Sequence, residues 1–315
     1  MNQKLKVGVV GVGALGGHHA RLYSKMESVR LAGVYDIDAE RSKRTAREHG
    51  TEVFGSLEEL AGAVEAASVA VPTDLHAEIA AFLMRKGVHL LVEKPIAATT
   101  AEAEAMVKLA REKNLILQVG HVERFNPVIK FLEGSVDRPR FVEAIRLGTF
   151  PAAQGGKAPR GTEVSVVLDL MIHDLDIILN LVGSRVSEIR AVGVSVLSSS
   201  EDIANVRLKF EGGTVANVTA SRISQERMRK IRLFEKDMYV SLDYMKQAGK
   251  LCRKTADGIT VDPVPMEKGE PLADELSSFV KCVLTRGEPV VSGTHGSEAL
   301  RLAVEICRNI RENPG

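Results

Sequence analysis

The sequence has few of the features that would place the chain in an oxidising compartment or around a metal ion. Its three cysteines, Cys252, Cys282 and Cys307, are widely separated and form no Cys-x-x-Cys pattern. This is typical of buried thiols in a reducing cytosol rather than of disulfides or a zinc site. The adjacent His18 and His19 are the other candidate ligands, but nothing near them in the sequence completes a ligand set. We therefore expect no metal site.

Charge and hydrophobicity exclude further classes of partner. The chain of 315 residues has 42 basic and 41 acidic side chains, and no block of like charge suggests a nucleic-acid arm or an acidic tail. No apolar run reaches the roughly 18 residues of a membrane span. Residues 7–15 superficially resemble a signal peptide, but their glycines are more typical of a strand, a turn and a helix. We expect a cytoplasmic protein whose partner is a small molecule, with no nucleic acid and no membrane.

Strands and helices alternate through the first part of the chain. Short apolar runs, such as residues 4–10, 30–35 and 89–92, predict buried strands, and the segments between them predict helices. The alternation is typical of a doubly wound parallel sheet covered on both faces, which is the Rossmann arrangement.

After Pro127 the pattern changes to that of β-hairpins. Residues 203–210 and 214–220 alternate between apolar and polar, and the pair Gly212-Gly213 lies between them. This pattern predicts a C-terminal α/β domain with an open, mostly antiparallel sheet.

The change of pattern suggests two domains. We expect residues 1–122 to form the dinucleotide-binding domain and residues 123–315 to form a domain for substrate binding and oligomerisation. A C-terminal helix at about residues 294–309 can pack on either domain. Residues 148–162 are either a flap near the substrate or a flexible connection.

Assembly of several copies is also expected. A helix at residues 164–182 is available to cover one face of the second sheet, yet apolar residues are common in the strands. Those residues include Val206, Leu208, Met238, Val240 and Leu242. We predict a homodimer or a homotetramer.

A glycine motif follows the first predicted strand and opens the first predicted helix. Its residues are Gly11, Val12, Gly13, Ala14, Leu15 and Gly16. In that context the glycines permit a tight turn and close approach to a pyrophosphate at the helix N-terminus. Asp36, about twenty residues after the motif, ends the second strand, where its carboxylate can hold the adenosine ribose. The carboxylate would repel the 2′-phosphate of NADP and so favours NAD. The nearby Arg41 and Arg44 are cations, so NADP stays a second possibility.

Four polar residues share one face of the predicted helix at residues 164–182, which is otherwise almost wholly apolar. They are Asp169, His173, Asp176 and Asn180. Their spacing of i, i+4, i+7 and i+11 places the side chains on one helical face. Buried carboxylates beside an imidazole are costly unless they have a role. We predict the edge of an active site, the other interpretation being a buried structural network. Asp174 lies off this face and is expected to meet solvent or a neighbouring helix.

Glu93-Lys94-Pro95 ends a predicted strand at the ligand-binding edge of the sheet. Together with the glycine motif and Asp169-x-x-x-His173, it resembles the glucose–fructose oxidoreductase and inositol dehydrogenase family, Gfo/Idh/MocA. The resemblance covers essentially the whole chain. It implies a Rossmann domain that binds NAD(P), an α/β domain that presents the substrate, and Lys94, Asp169 and His173 as catalytic residues. The further cofactor contacts that it implies are Pro72, Thr73, His76, Glu93 and Lys94.

The segment from Gly120 to Pro127 resembles a branch of that family that contains nucleotide-sugar 3-dehydrogenases, among them enzymes acting on UDP-N-acetylglucosamine. Arg124 offers a planar fork suited to phosphate, and Asn126 can bond sugar hydroxyls. Alternatively, Arg124 pairs with a carboxylate and Asn126-Pro127 forms a turn at the start of a helix.

The resemblance implies that the chain transfers a hydride to NAD from a secondary alcohol of a sugar, at C3 of a nucleotide sugar. His173 is a candidate base because imidazole titrates near physiological pH, and Asp169 can orient it or bond the substrate. Lys94 then stabilises the developing alkoxide, or the roles of Lys94 and His173 are exchanged. Two other interpretations are a dehydrogenase of free polyols and a catalytically idle NAD-binding sensor.

Overall fold

The structure is a computed structural model that describes residues 4–150 and 162–313. Its residues divide into two compact units. The first comprises the described residues of Met1–Val122 together with Glu270–Leu300, and the second comprises those of Glu123–Gly269 and Arg301–Gly315. Most of the segment 148–162, interpreted above as a flap or a connection, lies outside the described residues.

The first unit contains a parallel sheet of six strands. These are β1 (Leu5–Val10), β2 (Val29–Tyr35), β3 (Glu52–Val53), β4 (Ala66–Val69), β5 (His89–Glu93) and β6 (Leu117–Gly120). Their order across the sheet is β3-β2-β1-β4-β5-β6, which is the doubly wound order and confirms the predicted Rossmann arrangement. The order reverses between β1 and β4, so the ligand-binding crevice is expected at the carboxyl ends of those strands.

Five helices connect these strands. They are α1 (Ala14–Tyr23), α2 (Ala39–His49), α3 (Leu57–Ala63), α4 (His76–Arg85) and α5 (Thr100–Glu112). Local sequence explains their ends. Asp38 accepts the N–H of Arg41 at the start of α2, and Gly50 follows its last turn with a φ of +62°. Thr99 and Glu102 form a capping box at the start of α5.

The second unit contains a sheet of eight strands. These are β7 (Phe141–Leu147), β8 (Val186–Val194), β9 (Ile203–Phe210), β10 (Val215–Ser221), β11 (Met228–Glu235), β12 (Met238–Asp243), β13 (Ala248–Thr255) and β14 (Gly258–Pro263). The order is β14-β13-β12-β11-β7-β10-β9-β8. Strands β7 and β10 are parallel, and the other neighbouring pairs are antiparallel, as predicted for a mostly antiparallel sheet.

Helix α6 (Pro127–Ser135) opens the second unit, and α7 (Ile172–Val182) follows a π-helical turn at Val167–Met171. Arg146 on β7 bonds to Asp174 on α7, so the helix lies against this face of the sheet. Of the five apolar residues named above, Met238 is half-buried, and Val206, Leu208, Val240 and Leu242 are buried, each at most 1% exposed. The expectation that these residues mark an uncovered face is therefore wrong, because the alternation of each strand turns them toward the core.

The opposite face of this sheet carries half-buried aromatic and polar side chains. Phe234 is paired with Phe141 on β7 and with Tyr239 on β12, and the ring centroids lie 5.6 Å and 4.6 Å apart. Arg232 is paired with Glu143 in the next row. This mixed row, rather than the predicted aliphatic set, lies on the second face.

Helices α8 (Pro271–Thr285) and α9 (Gly293–Glu312) complete the chain. Leu276, Phe279 and Val280 of α8 belong to the same hydrophobic core as Val7 and Val9 of β1. This packing explains why Glu270–Leu300 groups with the first unit, although the sequence predicts a second domain that spans residues 123–315. Among the described helices, none is long and apolar enough to cross a membrane.

Candidate active site

Two glycines of the motif are required by the backbone itself. Gly11 has a φ of +81°, and a Cβ on Gly16 would lie 1.8 Å from the carbonyl oxygen of Gly11. The N–H of Gly11 donates to the carbonyl of Tyr35 over 2.8 Å. A side chain at either glycine would therefore open the turn between β1 and α1, since the left-handed backbone and the close approach both exclude a Cβ.

The N-terminus of α1 is shaped for an anion. Gly13 caps the helix without a side-chain hydrogen bond, and its first turn contains no acidic residue. A Cβ on Gly13 would meet nothing within 4 Å among the described residues, so there is space beside the first N–H groups of the helix. Ala14 and Leu15 begin the helix at this point. The turn fits a pyrophosphate, because backbone donors and the helix dipole both favour negative charge there.

Asp36 at the end of β2 is bonded to the glycine turn. Its Oδ2 accepts the N–H of Val12 over 2.8 Å, and its Oδ1 accepts the N–H of Asp38 over 2.9 Å. The Arg41 Nη1 lies 3.3 Å from each of the two oxygens. The carboxylate therefore supports the turn directly, and its predicted contact with the cofactor ribose stays a prediction.

His76 connects the ends of two neighbouring strands. Its Nδ1 lies 2.9 Å from the carbonyl oxygen of Pro95, and its Nε2 lies 3.0 Å from that of Val71. Burial lowers the pKa of the ring below its usual value, although the two carbonyl contacts act to raise it. A neutral imidazole can donate to only one of the two carbonyl oxygens. Pro72 and Thr73 form the start of a 3₁₀ turn just before α4. The predicted cofactor contacts of these three residues stay predictions.

Glu93 is buried, and its carboxylate contacts the backbone of Lys94. Its Oε1 lies 3.2 Å from the Nε2 of the fully buried His19, and its Oε2 accepts the N–H of Lys94 over 3.3 Å. A Cβ on Gly120 would lie 2.9 Å from this carboxyl group, so the glycine makes room for it. His19 thus contacts Glu93, whereas its neighbour His18 is exposed. Lys94 itself is partly exposed at the end of β5.

In the second unit, the predicted polar face of residues 164–182 is divided. Asp169 and His173 are partly exposed, Asp176 is buried and Asn180 is exposed. The N–H of Ile172 donates to the carbonyl of Val167, which is the i→i+5 bond of a π-helix and changes the phase between Asp169 and the residues of α7. Such π-helical turns occur frequently at functional sites.

A buried arginine fixes the chain that enters the π-helical turn. Arg222 donates to the carboxylate of Asp202 over 2.8 Å and to the carbonyl of Val164 over 2.8 Å. Asp202 also accepts three successive backbone N–H groups, those of residues 196–198. These bonds hold the pKa of the Asp202 carboxyl well below its usual range, although burial alone would raise it. Arg222 therefore anchors the chain at Val164, just before the π-helical turn that contains Asp169.

Asp174 is fully buried, and the expectation that it meets solvent or a neighbouring helix is wrong. Its two oxygens accept Nε and Nη2 of Arg146 over 2.7 Å and 3.1 Å. This bidentate pair joins α7 to β7 one residue beyond His173 and fixes the rotation of the helix. The pair was not predicted from sequence, although an arginine at an inward position of an alternating strand was a usable signal.

Glu123 extends this buried network. Its Oε1 accepts Arg146 Nη1 over 3.0 Å and Arg229 Nη1 over 3.2 Å. Burial acts to raise the pKa of Glu123, but the two guanidinium groups outweigh it and the pKa lies below its usual value. Glu123 is therefore ionised at neutral pH.

Arg124 and Asn126 are both buried in the structure. Arg124 Nη1 lies 3.6 Å from Asp176, and its Nε lies 3.6 Å from Glu133. Asn126 caps α6 by accepting the N–H of Val128 over 3.2 Å. The structure therefore shows the alternative interpretation for both residues: Arg124 pairs with carboxylates, and Asn126 forms the turn at the start of a helix. Their substrate contacts stay predictions.

Comparison with known proteins identifies the family. The sequence profile of the Gfo/Idh/MocA oxidoreductase family with an NAD-binding Rossmann fold matches residues 5–121. The profile of the Gfo/Idh/MocA C-terminal domain matches residues 131–237. The chain belongs to the Gfo/Idh/MocA family and is an NAD-dependent oxidoreductase. The predicted family, fold class, enzyme class and cofactor are thereby confirmed.

Individual relatives cover almost the whole chain. UDP-N-acetylglucosamine 3-dehydrogenase of Acidithiobacillus ferrooxidans is 35% identical over 96% of each chain, and a solved structure of that enzyme has a TM-score of 0.92 over 98% of this chain and 99% of its own. The scyllo-inositol 2-dehydrogenase (NAD(+)) of Bacillus subtilis is 23% identical over 99% of this chain and 95% of its own. Levoglucosan dehydrogenase in complex with NADH has the same fold, with a TM-score of 0.88 at 20% identity and 98% coverage of both chains.

Proposed function

We propose that the protein oxidises the C3 hydroxyl of UDP-N-acetylglucosamine, or of a closely related nucleotide sugar, with NAD as the acceptor. The observation that carries this proposal is the 35% identity to UDP-N-acetylglucosamine 3-dehydrogenase over 96% of both chains. The matched inositol dehydrogenase of Bacillus subtilis covers as much of the chain but is only 23% identical. Likeness in fold would not choose between these substrates.

The chemistry is proposed to rest on Lys94, Asp169 and His173. When NAD is bound, its nicotinamide accepts the hydride from the sugar carbon. His173 takes the hydroxyl proton, because a neutral imidazole is a competent base near physiological pH. Asp169, four residues earlier and similarly exposed, orients that imidazole or bonds a neighbouring hydroxyl. Lys94 stabilises the developing alkoxide with its ammonium charge, and the exchanged assignment of Lys94 as base is the alternative within the same reaction.

The test is NADH formation, followed by absorbance, with UDP-N-acetylglucosamine, other UDP-sugars and free polyols. We expect turnover with UDP-N-acetylglucosamine and little with the free polyols. The variant that tests the proposed base is His173→Ala. It should lower turnover by about 10²–10⁴-fold relative to the wild type, the usual contribution of a positioned base. NAD affinity should change little in this variant, because the glycine turn is intact.

The outcomes separate the alternative functions. Turnover of a free polyol without binding or turnover of UDP-N-acetylglucosamine would replace the proposal with an inositol-type dehydrogenase. Tight NAD binding without turnover of any sugar would support the sensor interpretation. A wild-type rate in His173→Ala would exclude the imidazole as the base.

We further propose that the protein functions as a homodimer or homotetramer in the cytoplasm. The mixed aromatic and polar face of the second sheet, which includes Phe141, Phe234 and Tyr239, supports pairing with a second copy. Fractionation of cells that express the protein would test the location.

A further inference from the structure

Arg229 on β11 is a cation close to the segment that carries the proposed catalytic histidine. In the register of β11 and β7 it lies directly opposite Arg146, and directly opposed Cα atoms on antiparallel strands are about 4.5–5.5 Å apart. Arg146 in turn forms the bidentate pair with Asp174, which is the residue after His173. Arg229 is therefore the cross-strand neighbour of Arg146, whose bonds to Asp174 fix the start of α7.

The exposure of Arg229 distinguishes it from Arg124, the phosphate ligand suggested by the sequence. The side chain of Arg229 is 49% exposed, while that of Arg124 is 4% exposed and lies between two carboxylates. Among the described residues, Arg229 is bonded to Glu123 through Nη1. A guanidinium has five N–H donors, so Nε and Nη2 of Arg229 are available for a ligand while Glu123 holds the group in place.

We propose that Arg229 binds the diphosphate of the nucleotide-sugar substrate and so selects nucleotide sugars over free sugars. This proposal rests on the proposed function. The diphosphate is attached at C1 of the sugar, two carbons from the C3 hydroxyl, so the phosphate-binding residue must lie within about one sugar ring of the base. Arg229 is connected to the start of α7 through Arg146, which it faces across the strands and which bonds to Asp174 beside His173. Its planar fork suits two phosphate oxygens.

The experiment compares Arg229→Met with the matched control Arg232→Met. Arg232 is on the same strand, is 42% exposed and also bonds to one glutamate, Glu143, but it lies on the opposite face of the sheet. We expect Arg229→Met to raise the KM for UDP-N-acetylglucosamine and the Kd for UDP at least about tenfold, with kcat within about threefold. Arg232→Met should leave the three constants within about twofold.

A purely structural role of Arg229 predicts a different pattern. Loss of support for Glu123 would lower kcat and the melting temperature together, with little change in the Kd for UDP measured by calorimetry. Arg229→Lys keeps the charge without the fork and should give a KM between those of the wild type and Arg229→Met. If Arg229→Met folds poorly, Arg229→Lys still tests the proposal, because it retains the positive charge beside Glu123.

Two results would overturn the assignment of Arg229, and they differ in what they say of the proposed function. If the wild type oxidises UDP-N-acetylglucosamine and neither Arg229 variant changes its KM or the Kd for UDP, Arg229 is not the phosphate ligand and the proposed function stands. If the wild type oxidises a free polyol and neither binds UDP nor oxidises the UDP-sugar, both proposals fall.

Discussion

At the scale of single residues, Asp36 combines a structural contact with a predicted cofactor contact. It accepts the N–H of Val12 in the glycine turn, and it lies within 3.3 Å of Arg41. Removing the whole side chain therefore disturbs the turn as well as any bond to the ribose. Asparagine can keep an acceptor for Val12, but it removes the charge and the second oxygen that accepts the N–H of Asp38. Alanine removes both acceptors, so the two substitutions differ in how much of the glycine turn they leave supported.

We expect Asp36→Asn to weaken NAD binding by about 1–3 kcal/mol, as charged hydrogen bonds are lost, and to leave NADP binding equal or stronger. NADP is favoured because the repelling carboxylate is gone and Arg41 loses its ion pair with Asp36, keeping the one with Asp38. Asp36→Ala should weaken both cofactors, since Val12 also loses its acceptor. Calorimetric titration of both variants with both cofactors checks this, and an equal loss of NAD and NADP in Asp36→Asn would contradict the ribose role.

The residues that were predictable from sequence are those whose constraint is local. Gly11 and Gly16 follow from a turn of six residues, and Asp36 follows from the end of the next strand. The partners of Arg124 and Asp174 could not be predicted in this way. Asp174 meets Arg146, a residue on a different element, and spacing within one helix does not show which strand the helix will face.

At the scale of elements, the position of α7 depends on a network of four charges, three of them buried and the fourth, Arg229, half exposed. Asp174 and Glu123 are the acids, and Arg146 and Arg229 are the bases. The group is balanced in charge and joins α7, β7 and β11. Breaking such a network by removing one charge is costly, because the remaining charges stay buried without a partner.

Glu123→Gln should therefore destabilise the protein in a pH-dependent way. The folded pKa of Glu123 lies below its ordinary value of 4.5. The unfolded chain consequently binds this proton more readily, and stability from Glu123 is present above that value and lost as the pH falls through the lowered folded pKa. We expect a loss of about 1–3 kcal/mol at neutral pH, measured by urea unfolding.

The control for this measurement is Glu188→Gln. Glu188 is 43% exposed and pairs with Arg190 at the surface, so its loss should cost about 0–1 kcal/mol. The difference between wild type and Glu123→Gln should shrink in acid. A difference that is the same at neutral pH and well below 4.5 would show that the charge of Glu123 does not stabilise the fold.

Most of the elements predicted from sequence have a clear apolar period. Strand β14 was missed because all of its residues are exposed, so no alternation marks it. Helix α8 was missed although Leu276, Phe279, Val280 and Val283 repeat at i, i+3, i+4 and i+7, a helical signal that was present. The division of the polar face of residues 164–182 was not predictable, because a π-helical turn breaks the uniform period on which that prediction depended.

At the scale of the whole molecule, the second sheet has one face against its helix and one face of mixed character. Phe141, Phe234 and Tyr239 form a row on that second face, beside the Arg232–Glu143 pair. Aromatic residues and arginine are enriched in protein interfaces, and pairing two such faces would give the isologous contact of a two-fold dimer. The expectation of an oligomer thus rests on this row rather than on the aliphatic residues chosen from sequence.

Light scattering at micromolar concentration should give a mass of two or four times the 34.1 kDa of one chain. Phe234→Lys places a charge in the middle of the aromatic row and should dissociate the assembly, because an unpaired cation buried in an interface is not compensated. Ile259→Lys is a suitable control, since Ile259 is 76% exposed on the edge strand β14 and lies outside that row. A monomeric wild type would remove the proposal, and an oligomer that withstands Phe234→Lys would assign the contact to a different surface.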